Sequence, residues 1–464
     1  MQIKTGEIHD TRHFEAANAL QHLLEAGALI ETQLASTEPQ HILLPDTSLV
    51  TNPSLTYTSS TIVTQAWGPV CIRLVQTVTR PQILSRLCAL VHRGFQRQLA
   101  MSVNSRGPLI RRGQLRTRAP GLYLQGCKGI GKSHILMLLA AHLLVSGNRG
   151  IRVLYISDCS QWTSCTTTAE RTLFLIRAIA AAFMDSDDVQ RIISEWHSQA
   201  TGVTSGLWRP TVVSLLEEIN TFCEREQLKV AVLVDNVDSI VGSGSSGTEV
   251  LGLLRLINSQ TRSMLVVAAQ DDAKGMAASD SLSTAAFPIR TPFNSMEAAL
   301  FVRSYSILQK TQAWQIKDIL NKTWRHPGEL KRLCDQITAA LKKTPSVFSY
   351  EDIVCKELQV FTSLPFIRFV PRPFSHQRQI SQQMQNELVG RSVLHVLSMS
   401  RTTPAMVDVN YMNVISKSTG SFYVFPSPQV AKSIVNQYCR AKVTQSDVDM
   451  QLGTMRMALF KTFG

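Results

Sequence analysis

Acidic residues are missing from one long segment of the chain. The whole sequence contains 34 Asp and Glu against 47 Lys and Arg, a net charge of +13, yet residues 47–157 include no carboxylate side chain. A segment this basic favours a polyanionic partner, either a nucleic acid or an acidic protein surface. A second interpretation stays open, in which a solvated helix and linker have their charges balanced elsewhere in the fold. The arginines of this basic segment, residues 73–118, are Arg73, Arg80, Arg86, Arg93, Arg97, Arg106, Arg111, Arg112, Arg116 and Arg118.

Long apolar runs, paired cysteines and signal sequences are missing as well. No run reaches the roughly 18–20 apolar residues that a membrane-spanning helix needs, so we expect no membrane partner. The nine cysteines form no C-x-x-C pair, which disfavours a disulfide framework or a zinc site and indicates reduced thiols. The first residues lack the apolar core of a signal peptide and include Glu7, Asp10 and Glu15. These absences predict an intracellular protein of the nucleus or cytoplasm.

The stretch GCKGIGKS, residues 126–133, has the spacing G-x-x-x-x-G-K-[ST] of a phosphate-binding loop. Its glycines let the backbone adopt positive φ and turn its N–H groups toward an anion. We expect Lys132 to reach the β- and γ-phosphates of ATP, and the Ser133 hydroxyl to bind Mg²⁺. The predicted nucleotide-binding residues of this loop are Gly126, Cys127, Lys128, Gly129, Ile130, Gly131, Lys132, Ser133 and His134.

The flanks of this loop fit a strand followed by a helix. Residues 122–124 form a short apolar run that is typical of a buried parallel strand. Residues 134–145 have the pattern of a helix, and Gly147 stands at its C-cap position. A helix that opens at Ser133 directs the positive end of its dipole at the loop. The context therefore supports a phosphate site.

A second motif, KVAVLVDNVDSI, ends an apolar strand at Asp235. We expect Asp235 to hold Mg²⁺ through water, as a Walker B aspartate does, together with Ser133. Many related ATPases carry Glu at the next position, as the base that polarises the attacking water, but here the residue is Asn236, whose amide cannot accept a proton. Asp238 is the remaining nearby carboxylate. If it faces the site, ATP is hydrolysed; if not, the nucleotide is bound and turned over slowly. The predicted catalytic residues are Lys132, Asp235 and Asp238.

Two further side chains are candidate contacts of the nucleotide. Gln270 ends the strand MLVVAAQ, where related ATPases place a polar residue that senses the γ-phosphate. Arg325 precedes a helix start in TWRHPGELKRLC and is a cation that could approach the same phosphate. An ordinary strand-end amide and a solvent-facing base fit these two positions equally well.

The order of the predicted elements indicates an α/β P-loop NTPase fold with a mostly parallel sheet flanked by helices. Amphipathic helices are predicted at residues 14–33 and 81–100. The glycine- and serine-rich stretch SIVGSGSSGTEV, residues 239–250, is predicted to be a mobile loop. The predicted domains are a mainly helical N-terminal region with a basic linker (1–118), the nucleotide-binding domain (119–293), a helical lid (294–358) and a small C-terminal α+β module (359–464).

Four pieces of the sequence together resemble a known family. They are GCKGIGKS, RVLYISDCSQW, VLVDNVDSI, and FNSMEAALFV followed by RHPGELKRLC. Their order and spacing, over about residues 121–341, resemble the P-loop ATPase domain of Crinkler effectors and of the related retrotransposon-hot-spot proteins. The YISDC…W piece is also similar to one in the nucleotide-binding protein of the mitochondrial small ribosomal subunit. The resemblance implies an ATPase of the additional-strand class, with ATP and Mg²⁺ as cofactors.

Two functions fit these observations. In the first, the protein is an ATPase switch or regulator, in which ATP closes the helical lid and changes the contacts of the basic N-terminal region. In the second, it is a non-hydrolysing, nucleotide-stabilised scaffold that binds RNA, DNA or a protein. Asn236 and the arginine-only segment favour the second, whereas the complete loop and Asp235 fit both. Turnover of ATP separates them.

Overall fold

The computed structural model describes residues 32–45, 74–104, 121–145, 150–183, 186–200, 208–258, 262–270, 272–305, 308, 312–343, 413–417, 420–425, 450 and 453. These residues group into two compact units. The first contains the described residues up to Gln125 and those of Lys132–Phe287. The second contains Gly126–Gly131 and the described residues from Pro288 onward.

A five-stranded sheet forms the centre of the first unit, in the order β4-β5-β6-β3-β7. The neighbours β4 and β5, β5 and β6, and β6 and β3 pair in parallel. β6 is buried along its whole length and β5 along all but its first residue, because helices cover the sheet and leave few polar positions. The strands are β3 (Gly121–Gln125), β4 (Ile151–Ile156), β5 (Lys229–Val234), β6 (Ser263–Ala268) and β7 (Thr284–Pro288).

Helices alternate with these strands along the chain. The helix after β3 is apolar on all sides and contacts both β4 and β6, as a helix buried against a sheet does. The described helices of the first unit are α1 (Pro81–Asn104), α2 (Lys132–Val145), α3 (Cys159–Ser164), α4 (Thr168–Ala182), α5 (Asp187–Ala200), α6 (Trp208–Arg225), α7 (Gly244–Asn258) and α8 (Asp272–Leu282). Together with the sheet, this order confirms the predicted α/β class with a mostly parallel sheet.

The stretch predicted to be a mobile loop is instead largely helical. A 3₁₀ turn occupies Val237–Ile240, and α7 begins at Gly244. Glycine and serine are weak helix formers, but burial outweighs that preference here. Gly247 lies so close to the turn that a Cβ on it would stand 2.2 Å from the carbonyl oxygen of Ile240, and Val250 is fully buried. The prediction failed because tertiary packing, which local composition does not reveal, fixes the segment.

An antiparallel ladder precedes the sheet in the chain and was not predicted. β1 (His41–Pro45) pairs with β2 (Leu74–Val78), with His41 opposite Val78. The helix predicted at residues 81–100 is confirmed as α1, with Leu87 and Val91 fully buried. The predicted helix at residues 14–33 lies almost entirely outside the described residues.

The second unit contains three consecutive helices with a core of their own, as predicted for the chain after residue 294. They are α9 (Ser295–Arg303), α10 (Ala313–Thr323) and α11 (Pro327–Lys343). Asn294 caps α9 in a capping box with Glu297, which satisfies two backbone donors at the helix start. Further along, β8 (Asn413–Lys417) and β9 (Gly420–Val424) pair antiparallel. The helix predicted after β9 lies outside the described residues.

Within the described part of the chain, no helix combines the length and the apolarity that crossing a membrane requires. The predicted domain boundaries stay predictions.

Candidate functional site

The loop Gly126–Gly131 has the backbone that a phosphate-binding loop needs. Gly129 has φ of +82° and Gly131 has φ of +96°, a region that side chains with a Cβ rarely adopt. Gly126 has no room for a Cβ, which would stand 2.7 Å from the carbonyl oxygen of Ile289. The N–H of Ile130 donates to the carbonyl of Cys127 at 3.2 Å and closes the turn. Of the other predicted loop residues, Cys127 and Ile130 are buried and Lys128 is exposed.

Within the second unit this loop contacts the start of α11. The N–H of Gly328 donates to the carbonyl of Gly129 at 2.8 Å, so one of the free N–H groups of the helix start is satisfied by the loop. The ring of His326 lies against Gly129, and its Nε2 is 3.8 Å from the Cys127 sulfur. This contact is not evident from the sequence, because the residues that form it are 199 positions apart.

Lys132 and Ser133 open α2 in the first unit. Lys132 is 5% exposed, a low value for a lysine, whereas Ser133 is exposed. The first N–H groups of a helix have no intrahelical partner and carry partial positive charge, which attracts anions. These two side chains thus stand at the helix end where the motif needs them.

Asp235 follows directly after β5 and is buried, with 6% exposure. Burial raises its pKa to about 6, although hydrogen bonds from the Ser133 hydroxyl and from the N–H of Asn236 act in the opposite direction. Neighbouring Asp158 and Asp238 add to the rise. A cation would stabilise the ionised form of a carboxylate buried in this way, because positive charge compensates for the lost hydration. The structure thus brings together Ser133 and Asp235, the two side chains predicted to bind Mg²⁺.

Asn236 connects the ends of two neighbouring strands. Its backbone is left-handed, with φ of +61°, and its N–H donates to Oδ1 of Asp235 at 2.8 Å. Its side-chain Nδ2 donates to Oδ1 of Asp158 at 2.7 Å. The amide thus joins the residue that follows Asp235 to a carboxylate just beyond the end of the adjacent strand β4.

Asp158 is a functional candidate that the sequence analysis missed. It caps α3 just beyond the end of β4, and its Oδ1 also accepts from the N–H of Ser160 at 2.9 Å. β4 is paired with β5, so Asp158 and Asp235 stand at the same edge of the sheet, where the N–H of Cys159 donates to the Asp235 carbonyl at 2.9 Å. The sequence does contain a sign of this residue, because both YISD and VLVD are apolar strand sequences that end in Asp. That the two strands are neighbours is visible only in the fold.

Asp238 and Gln270 are bonded to each other. Asp238 lies in the 3₁₀ turn after β5, and its Oδ1 accepts from the backbone N–H of Gln270 at 2.9 Å. Gln270 itself is exposed and lies two residues beyond the end of β6. The bond ties the turn to the neighbouring strand, which gives Asp238 a structural task.

His134 and Arg325, both predicted to contact nucleotide, are engaged inside their own units. The Nε2 of His134 is 3.0 Å from the carbonyl of Val78 in β2. Burial lowers the pKa of His134 to about 4. Arg325 is 3% exposed, and its Nη1 donates to the Ser295 hydroxyl at 2.9 Å. Contact of these two side chains with a nucleotide stays a prediction.

The donor set at the sheet edge fits Mg²⁺. That ion prefers oxygen ligands and is usually bound through one or two carboxylates together with substrate phosphates, while it keeps several waters. Ser133 and Asp235 supply a hydroxyl and a carboxylate that already contact each other. Among the residues that the structure describes, no group of three or more His, Cys, Asp and Glu side chains is placed to hold a metal.

No protein-family model matches the chain, and no curated protein matches it. Several solved structures are similar at low identity. A Walker-type ATPase of Pyrococcus abyssi is 13% identical, over 68% of this chain and 90% of that chain, with a TM-score of 0.37. Cdc6p from Pyrobaculum aerophilum is 13% identical, over 86% and 90%, with a TM-score of 0.38. The ORC2 protein of Aeropyrum pernix is 11% identical, over 86% and 98%, with a TM-score of 0.38.

Proposed function

We propose that the protein binds Mg²⁺–ATP through residues 126–133 and Asp235 and hydrolyses it. One observation carries the proposal: the Ser133 hydroxyl of the loop motif hydrogen-bonds the buried carboxylate of Asp235, at the end of the strand where a metal-ordering acid is expected. A buried carboxylate that ends a strand by chance has no reason to be paired with the motif's own serine.

Each residue has a distinct task in this proposal. The backbone N–H groups of the glycine loop surround the phosphates, and the Lys132 ammonium neutralises charge on the β- and γ-phosphates. Ser133 and Asp235 would hold Mg²⁺, and the ion would supply positive charge that compensates the charge of the phosphates. Phosphoryl transfer needs little more than positioning and charge stabilisation, and these groups supply both.

We further propose that turnover serves a conformational switch. The support is the hydrogen bond between Gly129 of the loop and Gly328 at the start of α11, because any ligand that reshapes the loop must act on that bond. The effector-type role implied by the Crinkler resemblance belongs to the same proposal. The alternative, a nucleotide-stabilised scaffold, shares the binding site and lacks the turnover.

Thermal unfolding with and without Mg²⁺–ATP tests the binding site. At a ligand concentration about 100-fold above Kd the free energy of unfolding should rise by roughly 2.7 kcal/mol, which shifts Tm by several degrees. Lys132→Ala should abolish the shift, whereas Lys317→Ala, an exposed lysine on α10, should preserve it. An unchanged wild-type Tm at millimolar Mg²⁺–ATP would refute the site.

Phosphate release tests the enzymatic half of the proposal. Asp235→Asn should remove Mg²⁺-dependent hydrolysis, because the amide lacks the charge that orders the ion. Equal rates for wild type and Asp235→Asn would contradict the assigned role. Binding without any release in the wild type would favour the scaffold.

A further inference from the structure

We propose that Asp158 is the carboxylate that activates water for ATP hydrolysis and that Asn236 positions it. This inference rests on the proposed function and deepens it by assigning the base. The two residues stand at the ends of the adjacent parallel strands β4 and β5.

The position of Asp158 matches that task. It comes from the strand next to the one that carries Asp235, and it is close enough to raise the pKa of Asp235 by its charge. Its side chain is neither buried nor fully exposed, so water can reach it. A base must lie within hydrogen-bond reach of a water, and a carboxylate in a partly hydrated position meets that requirement.

The hydrogen bonds of Asp158 leave one of its oxygens for water. Both hydrogen bonds to its carboxylate, from the Ser160 N–H and from the Asn236 Nδ2, end on Oδ1. Within the described part of the chain, Oδ2 has no hydrogen-bond partner. Two donors on one oxygen fix the plane of the carboxyl group, so the direction of Oδ2 is set before the substrate arrives.

Asn236 follows Asp235 directly, at the position where a catalytic Glu was considered, and it has a different role there. Its amide cannot accept a proton, but its Nδ2 holds the Asp158 carboxylate while its N–H holds that of Asp235. One residue thus orients both the metal-binding acid and the proposed base. Asn is among the residues that tolerate the left-handed backbone found here.

Asp238, the base suggested by sequence spacing, is worse placed. Its Oδ1 accepts from the backbone N–H of Gln270, two residues beyond the end of β6. That bond directs the Asp238 carboxylate toward β6. In the strand order, β6 lies on one side of β5 and β4, which precedes Asp158, lies on the other. We therefore assign Asp238 to fixing the turn after β5.

The water oxygen forms a bond to the γ-phosphorus as the bond from that phosphorus to the β–γ bridging oxygen breaks. The electron pair of that bond leaves with ADP. Asp158 accepts the proton of the attacking water and returns it to the released phosphate or to solvent, so the enzyme ends unchanged.

The test compares Asp158→Asn, Asp238→Asn and the surface control Asp188→Asn in phosphate release and in Mg²⁺–ATP binding. The amide oxygen introduced by Asp158→Asn can accept both existing hydrogen bonds, and asparagine is a good N-cap residue, so Tm should be unchanged. We expect kcat of Asp158→Asn to fall at least about 100-fold, because a general base typically contributes a rate acceleration of that size or more. Its Kd for Mg²⁺–ATP should change less than about threefold, and the two other variants should retain most of kcat.

Several outcomes overturn the inference. Wild-type kcat in Asp158→Asn with intact ATP binding would refute the base while leaving the proposed ATPase intact. Recovery of kcat at raised Mg²⁺ would make Asp158 a metal-ordering group instead. Absence of ATP binding in the wild type would remove the proposed function itself, and binding without turnover would remove both hydrolysis and its base.

Discussion

Asn236 shows how one residue can decide the arrangement of a site. Its left-handed backbone directs its N–H to Asp235 and its amide to Asp158. A left-handed conformation costs a residue with a Cβ roughly 1–2 kcal/mol, and Asn and Asp lose part of that cost through local hydrogen bonds. The side chain of Asn236 bonds the distant Asp158, so its tolerance of this backbone reflects the general preference of Asn for the left-handed region. Glu does not share that preference, which is consistent with Asn at this position.

His134 makes stability depend on pH. Its folded-state pKa is about 4, mainly because of burial and also because of Arg80, against an ordinary 6.5, so the unfolded chain binds its proton first. The stabilisation that the neutral His134 gives the folded state is fully present above pH 6.5 and is lost as pH falls toward 4. The loss in the free energy of unfolding is about 3 kcal/mol, at 1.36 kcal/mol per pKa unit. Urea unfolding of wild type and His134→Gln between pH 4 and 7.5 measures it.

The comparison with His134→Gln isolates this residue from other titrating groups. The glutamine Nε2 can still donate to the Val78 carbonyl, and it carries no charge at any pH. As pH falls below 6.5, the free energy of unfolding should decrease more for the wild type than for His134→Gln. A difference that stays constant over the whole range would contradict a folded state that holds His134 neutral.

At the scale of elements, the sequence predicts whatever is local. The strand, loop and helix around residues 121–145 follow from apolar runs and glycine spacing within one window, and the structure confirms them. β5 ends one residue before Asp235, as its pattern indicates. The start of α7 at Gly244 was missed because the burial of Val250 in the core of the first unit depends on partners that are distant in the sequence. Glycine disfavours a helix by its intrinsic propensity, and the local sequence does not show which residues of the segment are buried.

The contact between the loop and α11 gives a second test of structure. A Cβ on Gly328 would stand 2.9 Å from Cα and 3.1 Å from the carbonyl oxygen of Gly129, so backbone atoms must move. We expect Gly328→Ala to lower the free energy of unfolding by about 1–3 kcal/mol, the usual cost of overpacking. Urea denaturation measures the change.

Gly453→Ala is the matched control for that substitution. A Cβ on Gly453 meets nothing within 4 Å, so the alanine should be neutral or slightly stabilising through its helix propensity. If both variants were equally stable, the close approach of Gly129 and Gly328 would not constrain the fold.

For the whole molecule, the sequence indicates the two residues proposed to hold Mg²⁺ but does not indicate Asp158, the proposed base. Asp235 and Ser133 were found because each belongs to a motif that a short window contains. Asp158 was not, because an acid that ends one strand gains meaning only when that strand lies beside another. Parallel neighbours are joined through long crossovers, so the order β4-β5-β6-β3-β7 is a property of the fold and not of any segment.

The net charge of +13 leads to the last prediction, at the scale of the molecule and its partner. Residues 105–120 lie outside the described residues, so the role of their arginines is argued from the sequence alone. Arginine pairs two phosphate oxygens with its planar fork and stays charged at any physiological pH. We propose that the basic segment binds a single-stranded nucleic acid with weak sequence preference. The five arginines to be changed together to alanine are Arg106, Arg111, Arg112, Arg116 and Arg118.

Salt dependence distinguishes such contacts from general attraction. Each phosphate neutralised on a single strand adds about −0.7 to the slope of log K against log[salt], so five contacts contribute about −3.5 and the five-alanine variant should lose that amount. Anisotropy titrations at several salt concentrations give the slopes. A control with the same loss of charge replaces five exposed cations of the described helices, Arg191, Arg225, Arg255, Lys317 and Lys331. If both variants flatten the slope equally, net charge alone drives binding. If the five-alanine variant matches the wild type, the basic segment does not contact nucleic acid, and an acidic protein surface becomes the better partner.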